Sequence, residues 1–307
     1  MTAEAIDTAL DRPARGIALR LVSGVLFTGM AVCVKAVSDA VPTGQIVFYR
    51  SAFALLPLAV FLWWRGELPG GLRTRRPLGH LLRSALGAAA MFASFAAIAR
   101  LPLAEAVLIG HLAPVFTALA AVAVLSERLT IWRILGLALG FGGVLALVWP
   151  DLGGDADAAR LAGYALGLAT AALTAAALLM VRSLARTESP GAIAVYFVAA
   201  SMAGGLLTLP LGWADTDRTA LALLILAGVF GGAAHIAMTL AFRYAEASRL
   251  APFEYVALLW AVLADLALFG SPLGPSFLVA LPLVLLGAAS AASEGRGRMA
   301  MSKRSAR

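Results

Sequence analysis

The stretch Gly87–Leu101 reads GAAAMFASFAAIARL, and 144 positions later Gly231–Ala245 reads GGAAHIAMTLAFRYA. Five of the fifteen positions are identical: Gly87/Gly231, Ala89/Ala233, Ala90/Ala234, Ala93/Ala237 and Ala97/Ala241. Each stretch lies in an apolar run long enough to cross a bilayer, which takes roughly 20 mostly apolar residues. The chain is rich in alanine, so the match has weight only if the flanking segments keep the same offset.

The composition sets the solvent. The chain is 61% hydrophobic and 13% charged, with a mean hydropathy of +0.90. A soluble domain carries roughly 25% charged residues, so this composition reads as a polytopic membrane protein. The net charge of +7 does not point to nucleic acid, because the basic residues serve orientation instead. The single cysteine, Cys33, lies in an apolar run and excludes an internal disulfide. No small-residue cleavage site follows the first apolar run, which reads as a retained span.

Ten apolar runs are long enough to be spans: 17–37, 43–64, 78–98, 103–125, 132–149, 161–181, 191–212, 220–242, 247–269 and 276–292. They read as helices, since lipid leaves an open strand edge unsatisfied and the runs lack barrel-strand alternation. With the N-terminus in the cytoplasm, 19 of the 24 Lys and Arg flank cytoplasmic ends. Only Arg100, Arg160 and Arg218 fall on the other side, while Lys35 and Arg50 lie within spans. This bias predicts both termini inside.

The offset of 144 carries span one onto span six, and spans two to five onto seven to ten, without a gap. Val37 meets Val181, Leu119 meets Leu263 and Gly143 meets Gly287. An odd number of spans per copy inserts the second copy upside down. The expected organisation is a cytoplasmic tail (residues 1–16), a first five-helix repeat (17–149), an inverted second repeat (161–292) and a basic cytoplasmic tail (293–307). Inverted halves around a midplane site are the build of carriers that work by alternating access.

The segment Ala104–Gly143, AEAVLIGHLAPVFTALAAVAVLSERLTIWRILGLALGFGG, resembles the signature half of EamA-type carriers of the drug/metabolite transporter superfamily. The matching features are Pro114 in mid-helix, the following Ser126-Glu127-Arg128-Leu129 and the glycines of the next span. Arg50 in FYRSAFALLPL is similar to an arginine typical of span two, and Ala247-Ser248-Arg249-Leu250 followed by Ala251-Pro252-Phe253-Glu254-Tyr255 resembles one subgroup. The resemblance runs from about Gly16 to Glu294. It implies a ten-helix inner-membrane carrier, with spans one, three, four, six, eight and nine around a central cavity. The subgroup implies S-adenosylmethionine, riboflavin-like, amino-acid or metallophore-type substrates. The chain departs from the family at Gly270-Ser271, where a Gly-Glu pair commonly matches Ser126-Glu127; a role needing both glutamates is thereby in doubt.

Ionisable groups within spans are costly and mark candidate sites. Arg50 either satisfies carbonyls or a carboxylate, with Glu105 a possible partner, or holds a substrate anion. Lys35 either snorkels or pairs with Asp39. On an unbroken span nine, Glu254 and Asp265 stand only about 20° apart around the helix and roughly 16 Å apart along it. They read as a cation or proton site, or as ion pairs to Arg50 or Lys35. His235 titrates near neutral pH or bonds a backbone carbonyl. His111 reads as structural, three residues before Pro114, and His80 as solvated. The three histidines lack close metal-ligand spacing, so neither a metal nor a cofactor is expected. The candidate substrate residues are thus His235, Glu254, Tyr255, Met91, Phe92 and Arg50. Glu254, Asp265 and His235 are the candidates for coupling to protons, and Pro114, Pro252 and Glu127 for gating or structure.

The leading expectation is a secondary active transporter of a small polar organic metabolite, working as a monomer or homodimer in the inner membrane, with direction open. A broad-specificity drug or metabolite efflux pump is the alternative. No nucleotide-binding GK[ST] loop is present. A membrane-embedded enzyme or a channel is a weaker reading, because no nucleophile, base and metal ligands cluster and the repeat suits a carrier.

Overall fold

The computed structural model describes residues 12–125, 131–152, 157–185, 187–245, 250 and 253–305. Among the described residues the regular structure is helical throughout. The helices are α1 (Pro13–Val37), α2 (Thr43–Trp64), α3 (Pro77–Arg100), α4 (Leu103–Gly110), α5 (Ala113–Leu125), α6 (Ile131–Val148), α7 (Ala158–Leu184), α8 (Pro190–Leu206), α9 (Arg218–Tyr244), α10 (Val256–Leu268) and α11 (Pro275–Ser305). Seven helical segments are long and apolar enough to cross a membrane. Shorter apolar helices cover Leu103–Thr117, Val256–Leu268 and Pro275–Ser290.

Helix starts are written locally. Proline opens α1, α3 and α8, where its missing N–H costs nothing. Asp157, Ser189 and Asp217 accept from the first-turn N–H groups of α7, α8 and α9 at 2.9, 3.0 and 2.7 Å. The span expected at 103–125 is two helices. Pro114 has no N–H to offer the Gly110 carbonyl, and the ladder gives way to a tight bond from Leu112 N–H to Ile109 O of 3.0 Å. His111 Nδ1 lies 2.8 Å from Val107 O, which fits its structural reading.

Glycines set the helix neighbours, since small residues let helix backbones approach where lipid offers no hydrophobic drive. Gly16 lies against Ala241 and Ala245, and Gly29 against Phe230, so α1 and α9 run antiparallel. Gly79 against Leu184 and Gly163 against Leu101 set α3 antiparallel to α7. Gly191 beside Leu62 and Gly205 beside Phe48 do the same for α2 and α8. Gly143 beside Val284 and Gly287 beside Gly140 pair α6 with α11. Helix α9 also packs on α2, and α8 on α3. Moving each helix by 144 positions exchanges the α1–α9 and α3–α7 pairs and the α2–α9 and α3–α8 pairs. It returns α2–α8 and α6–α11 to themselves.

The bundle has an arginine-rich end, where α1 begins, and an aspartate-rich end, where α2 begins. Its outer surface is apolar: Leu207 is 80% exposed and Leu211 84%. Trp63 and Trp64 close α2 with their rings exposed at the arginine-rich end, where indoles suit a membrane interface. An outside this apolar is what a bilayer demands.

Candidate functional site

The glycine pair that marks the repeat also marks the site. A methyl at Gly231 would stand 2.8 Å from Arg50 Nη2, 2.8 Å from Met30 Sδ and 2.9 Å from Arg50 Nε. A methyl at Gly87 would stand 2.9 Å from the Phe197 ring and 3.3 Å from Arg83 Nη1. Each glycine therefore beds a guanidinium. Arg50 is only 2% exposed. Its Nε donates to the Met30 thioether at 3.4 Å, a weak acceptor, and its Nη1 is buried without a partner. Arg83 lies over the Phe197 ring at 4.2 Å, with Nε and Nη1 buried and unpartnered. His235, one turn beyond Gly231 on α9, stands edge-on to Phe27 at 5.0 Å and to Phe197 at 6.2 Å. The charges of Arg50 and Arg83 both act on its ring. Met91 belongs to the buried cluster that contains Phe197, and Phe92 packs against that cluster.

The other candidates lie elsewhere. Glu254 is not paired with Arg50 or Lys35. It binds Arg20 of α1 at 2.8 Å, with a side chain 42% exposed. Tyr255 is a turn residue before α10, and its ring lies 5.5 Å from that of His111. This turn breaks the single stripe on which Glu254 and Asp265 were expected. Asp265, 1% exposed, accepts from Leu103 N–H at 3.0 Å and from Ala104 N–H at 2.7 Å. Pro102 stands at the cap position of α4 and brings no side-chain acceptor, so a carboxylate from α10 satisfies the orphan N–H groups. Pro114 stands at the break between α4 and α5. Glu127 and Pro252 lie outside the described residues.

Three further expectations are corrected. Glu105 pairs with Arg160 at 3.2 Å, not with Arg50, in a network with Tyr164 and Asp151. Lys35 donates to Leu101 O at 2.9 Å, so its contact is a backbone carbonyl, and Asp39 acts on it only at longer range. His80 is not solvated: it is buried at 2% exposure, with Nε2 3.2 Å from Glu188. Burial alone would raise the Glu188 carboxyl. Hydrogen bonds from His80, the Arg75 N–H and Thr74, with the field of the imidazole, hold it below the usual carboxylate range.

Arg83, Phe27, Phe197 and Met30 were missed. Arg83 was read only as one more positive charge near a helix end. The available signal was its place one turn before Gly87.

The geometry can bind and orient. Among the described residues no group of three or more His, Cys, Asp and Glu is placed to hold a metal ion. The chain is 29% identical to the pseudopaline exporter of Pseudomonas aeruginosa over 82% of its length and 86% of that protein. It is 31% identical to the riboflavin transporter of Rhizobium johnstonii over 85% of each chain. A solved structure with 20% sequence identity shares the fold at a TM-score of 0.64, covering 92% of this chain and 98% of that one. The model of the EamA-like transporter family matches twice, at residues 14–149 and 161–292. This multi-pass membrane protein, a transporter of small metabolites and not an enzyme, belongs to the EamA-like transporter family.

Proposed function

We propose that the chain is a ten-span secondary carrier built of two inverted five-helix repeats (17–149 and 161–292), with both termini in the cytoplasm of an inner membrane. It acts as a monomer or a homodimer. The helix pairing that maps onto itself at the offset of 144 supports the two-fold build. The positive charge bias supports the orientation. Spans four and nine are the interrupted ones, at Pro114 and before Val256, and broken helices at depth suit gating.

The single observation that carries the reading is the buried Arg50 guanidinium beside the half-buried His235, set between α2 and α9 in apolar surroundings. It is the substrate site, with Met91 and Phe92 behind it. Glu254 and Tyr255, toward the arginine-rich end, form the gate, held by the ion pair of Glu254 with Arg20. Asp265 is a helix cap in this conformation, and a coupling role requires it to leave the α4 N-terminus. The substrate is a small polar organic metabolite, in the chemical range of the riboflavin and pseudopaline carried by the relatives.

Counterflow in proteoliposomes tests this. Vesicles preloaded with unlabelled riboflavin, S-adenosylmethionine or amino acids should accumulate the labelled compound in a saturable, counterflow-stimulated manner for at least one of them. Linear, unsaturable flux would indicate a channel instead.

A further inference from the structure

Among the described residues the guanidinium groups of Arg50, which is buried, and Arg83, which is half-buried, have no carboxylate partner. Arg50 of α2 rests against Gly231, one turn before His235 on α9, and Arg83 of α3 lies over the Phe197 ring, whose centroid is 6.2 Å from that of His235. Glu105 is taken by Arg160, Asp265 by the α4 N-terminus and Glu254 by Arg20. A buried cation without a partner is destabilising, and removing it to an apolar isostere is often neutral or favourable. Arg83 gains something from the Phe197 face. Stacking uses the plane of the guanidinium and leaves its in-plane N–H donors free, and Nε and Nη1 are indeed unpartnered. Arg50 likewise keeps Nη1 free. The repeat glycines make the arrangement, because a side chain at Gly231 would displace the Arg50 guanidinium and one at Gly87 would push away the Phe197 ring that Arg83 lies over.

We infer that this centre binds an organic oxyanion carried on a flat ring, the anionic group held between Arg50 and Arg83 and the ring set against Phe27, Phe197 and His235. The inference rests on the carrier reading of the same site and names its substrate class. A planar carboxylate fits a guanidinium fork with two parallel hydrogen bonds, and a phosphate monoester presents the same acceptors. The asymmetry of the halves supports it. Arg50 and Arg83 have Ala194 and Ala227 as their equivalents 144 positions on, so the two cations converge from one half while the imidazole and the Phe197 ring face them from the other.

The test uses the purified full chain in detergent and follows its melting temperature with nicotinate, phenyl phosphate and the neutral isostere nicotinamide. Nicotinate or phenyl phosphate should stabilise the protein saturably, and nicotinamide should not. A response to nicotinate alone assigns a carboxylate, and one to phenyl phosphate alone a phosphate. Arg83→Gln should weaken the anion response by about tenfold to a hundredfold, while its ligand-free melting temperature stays equal to or above that of the parent chain. Three results overturn the inference: equal stabilisation by nicotinamide, no response to either oxyanion, or a folded Arg83→Gln that keeps the full anion response. The comparison of anion and isostere needs no variant, so it stands even where Arg83→Gln does not fold. Absence of counterflow in proteoliposomes would sink the carrier reading while leaving the binding difference intact.

Discussion

Gly87 and Gly231 hold equivalent places in the two halves, and each gives room to a guanidinium, yet both arginines belong to the first half. Met91 of the first half corresponds to His235 of the second across the same offset, and Arg50 and Arg83 correspond to Ala194 and Ala227. Room for a neighbouring side chain is present in both copies, while the polar chemistry is divided between them. The physics separates these two demands. Helix crossings in lipid rest on small residues at fixed spacing, so they repeat. A symmetric site would hold four buried cations, each with a desolvation cost. One copy therefore supplies the charge and the other the imidazole.

The largest effect should come from erasing that division. His235→Met copies the first half into the second at similar volume, so stability should change by less than about 1.5 kcal/mol. Counterflow should fall about a hundredfold, the upper range for losing a hydrogen bond to a charged group. Unchanged transport would mean that the halves differ here without consequence.

The shared framework should be intolerant in both halves. An added Cβ at Gly205 would meet Phe48 N at 2.6 Å, and one at Gly287 would meet Gly140 N at 2.5 Å. Both obstacles are backbone and cannot step aside. Gly205→Ala and Gly287→Ala should each cost about 1–3 kcal/mol in detergent unfolding. Gly110→Ala, with nothing within 4 Å of the new methyl, should stay within about 0.5 kcal/mol.

Glu254 corresponds to Gly110 in the comparison of halves. Glu254→Gln should lower transport about tenfold by removing the ion pair with Arg20, measured as initial uptake rates. An unchanged rate would take the gating role from this residue.

Asp265 has Ala121 as its equivalent. Asp265→Ala should lose about 1 kcal/mol of stability, the usual value of a helix cap, and Asp265→Asn should recover most of it through its amide oxygen. Equal losses in both would show that charge, not capping, is what the site uses.

The smallest effect concerns Glu188, which corresponds to Gly44. Its carboxyl is held below the ordinary range. Its contribution is therefore complete above the unfolded value of about 4.3 and is lost as pH falls through the lower folded value. Glu188→Gln should remove the part of the melting-temperature loss seen below about pH 4. An unchanged low-pH loss in the variant would take this role from Glu188.

Much of the helix layout was legible because lipid imposes a single rule, that each spanning segment satisfies its own backbone. Length, apolar content and caps such as Asp217 follow from it. The break at Pro114 followed from the missing N–H, although the run 103–125 reads as continuous by hydropathy alone. The site was legible only in pieces. His235 and Arg50 stood out as ionisable groups in apolar runs, and the glycines as a repeat. Arg83 did not, because a basic residue six positions into a helix looks the same whether it snorkels to an interface or turns onto a phenylalanine ring. Glu254 and Asp265 misled for a related reason. A helical wheel assumes an unbroken helix, and Tyr255 interrupts it.

The sequence by itself determined the solvent, the helices and the repeat, because hydropathy and register are properties of the chain read in order. Tertiary structure alone decided which charges meet. Partners such as Arg20 and Glu254, Glu105 and Arg160, or Asp265 and Leu103 are separated by long stretches of sequence. An ion pair depends on a few ångströms of distance between side chains on different helices. That spacing is set by which glycine lets which helix approach, and so only the assembled bundle shows that, among the described residues, Arg50 and Arg83 have no carboxylate partner.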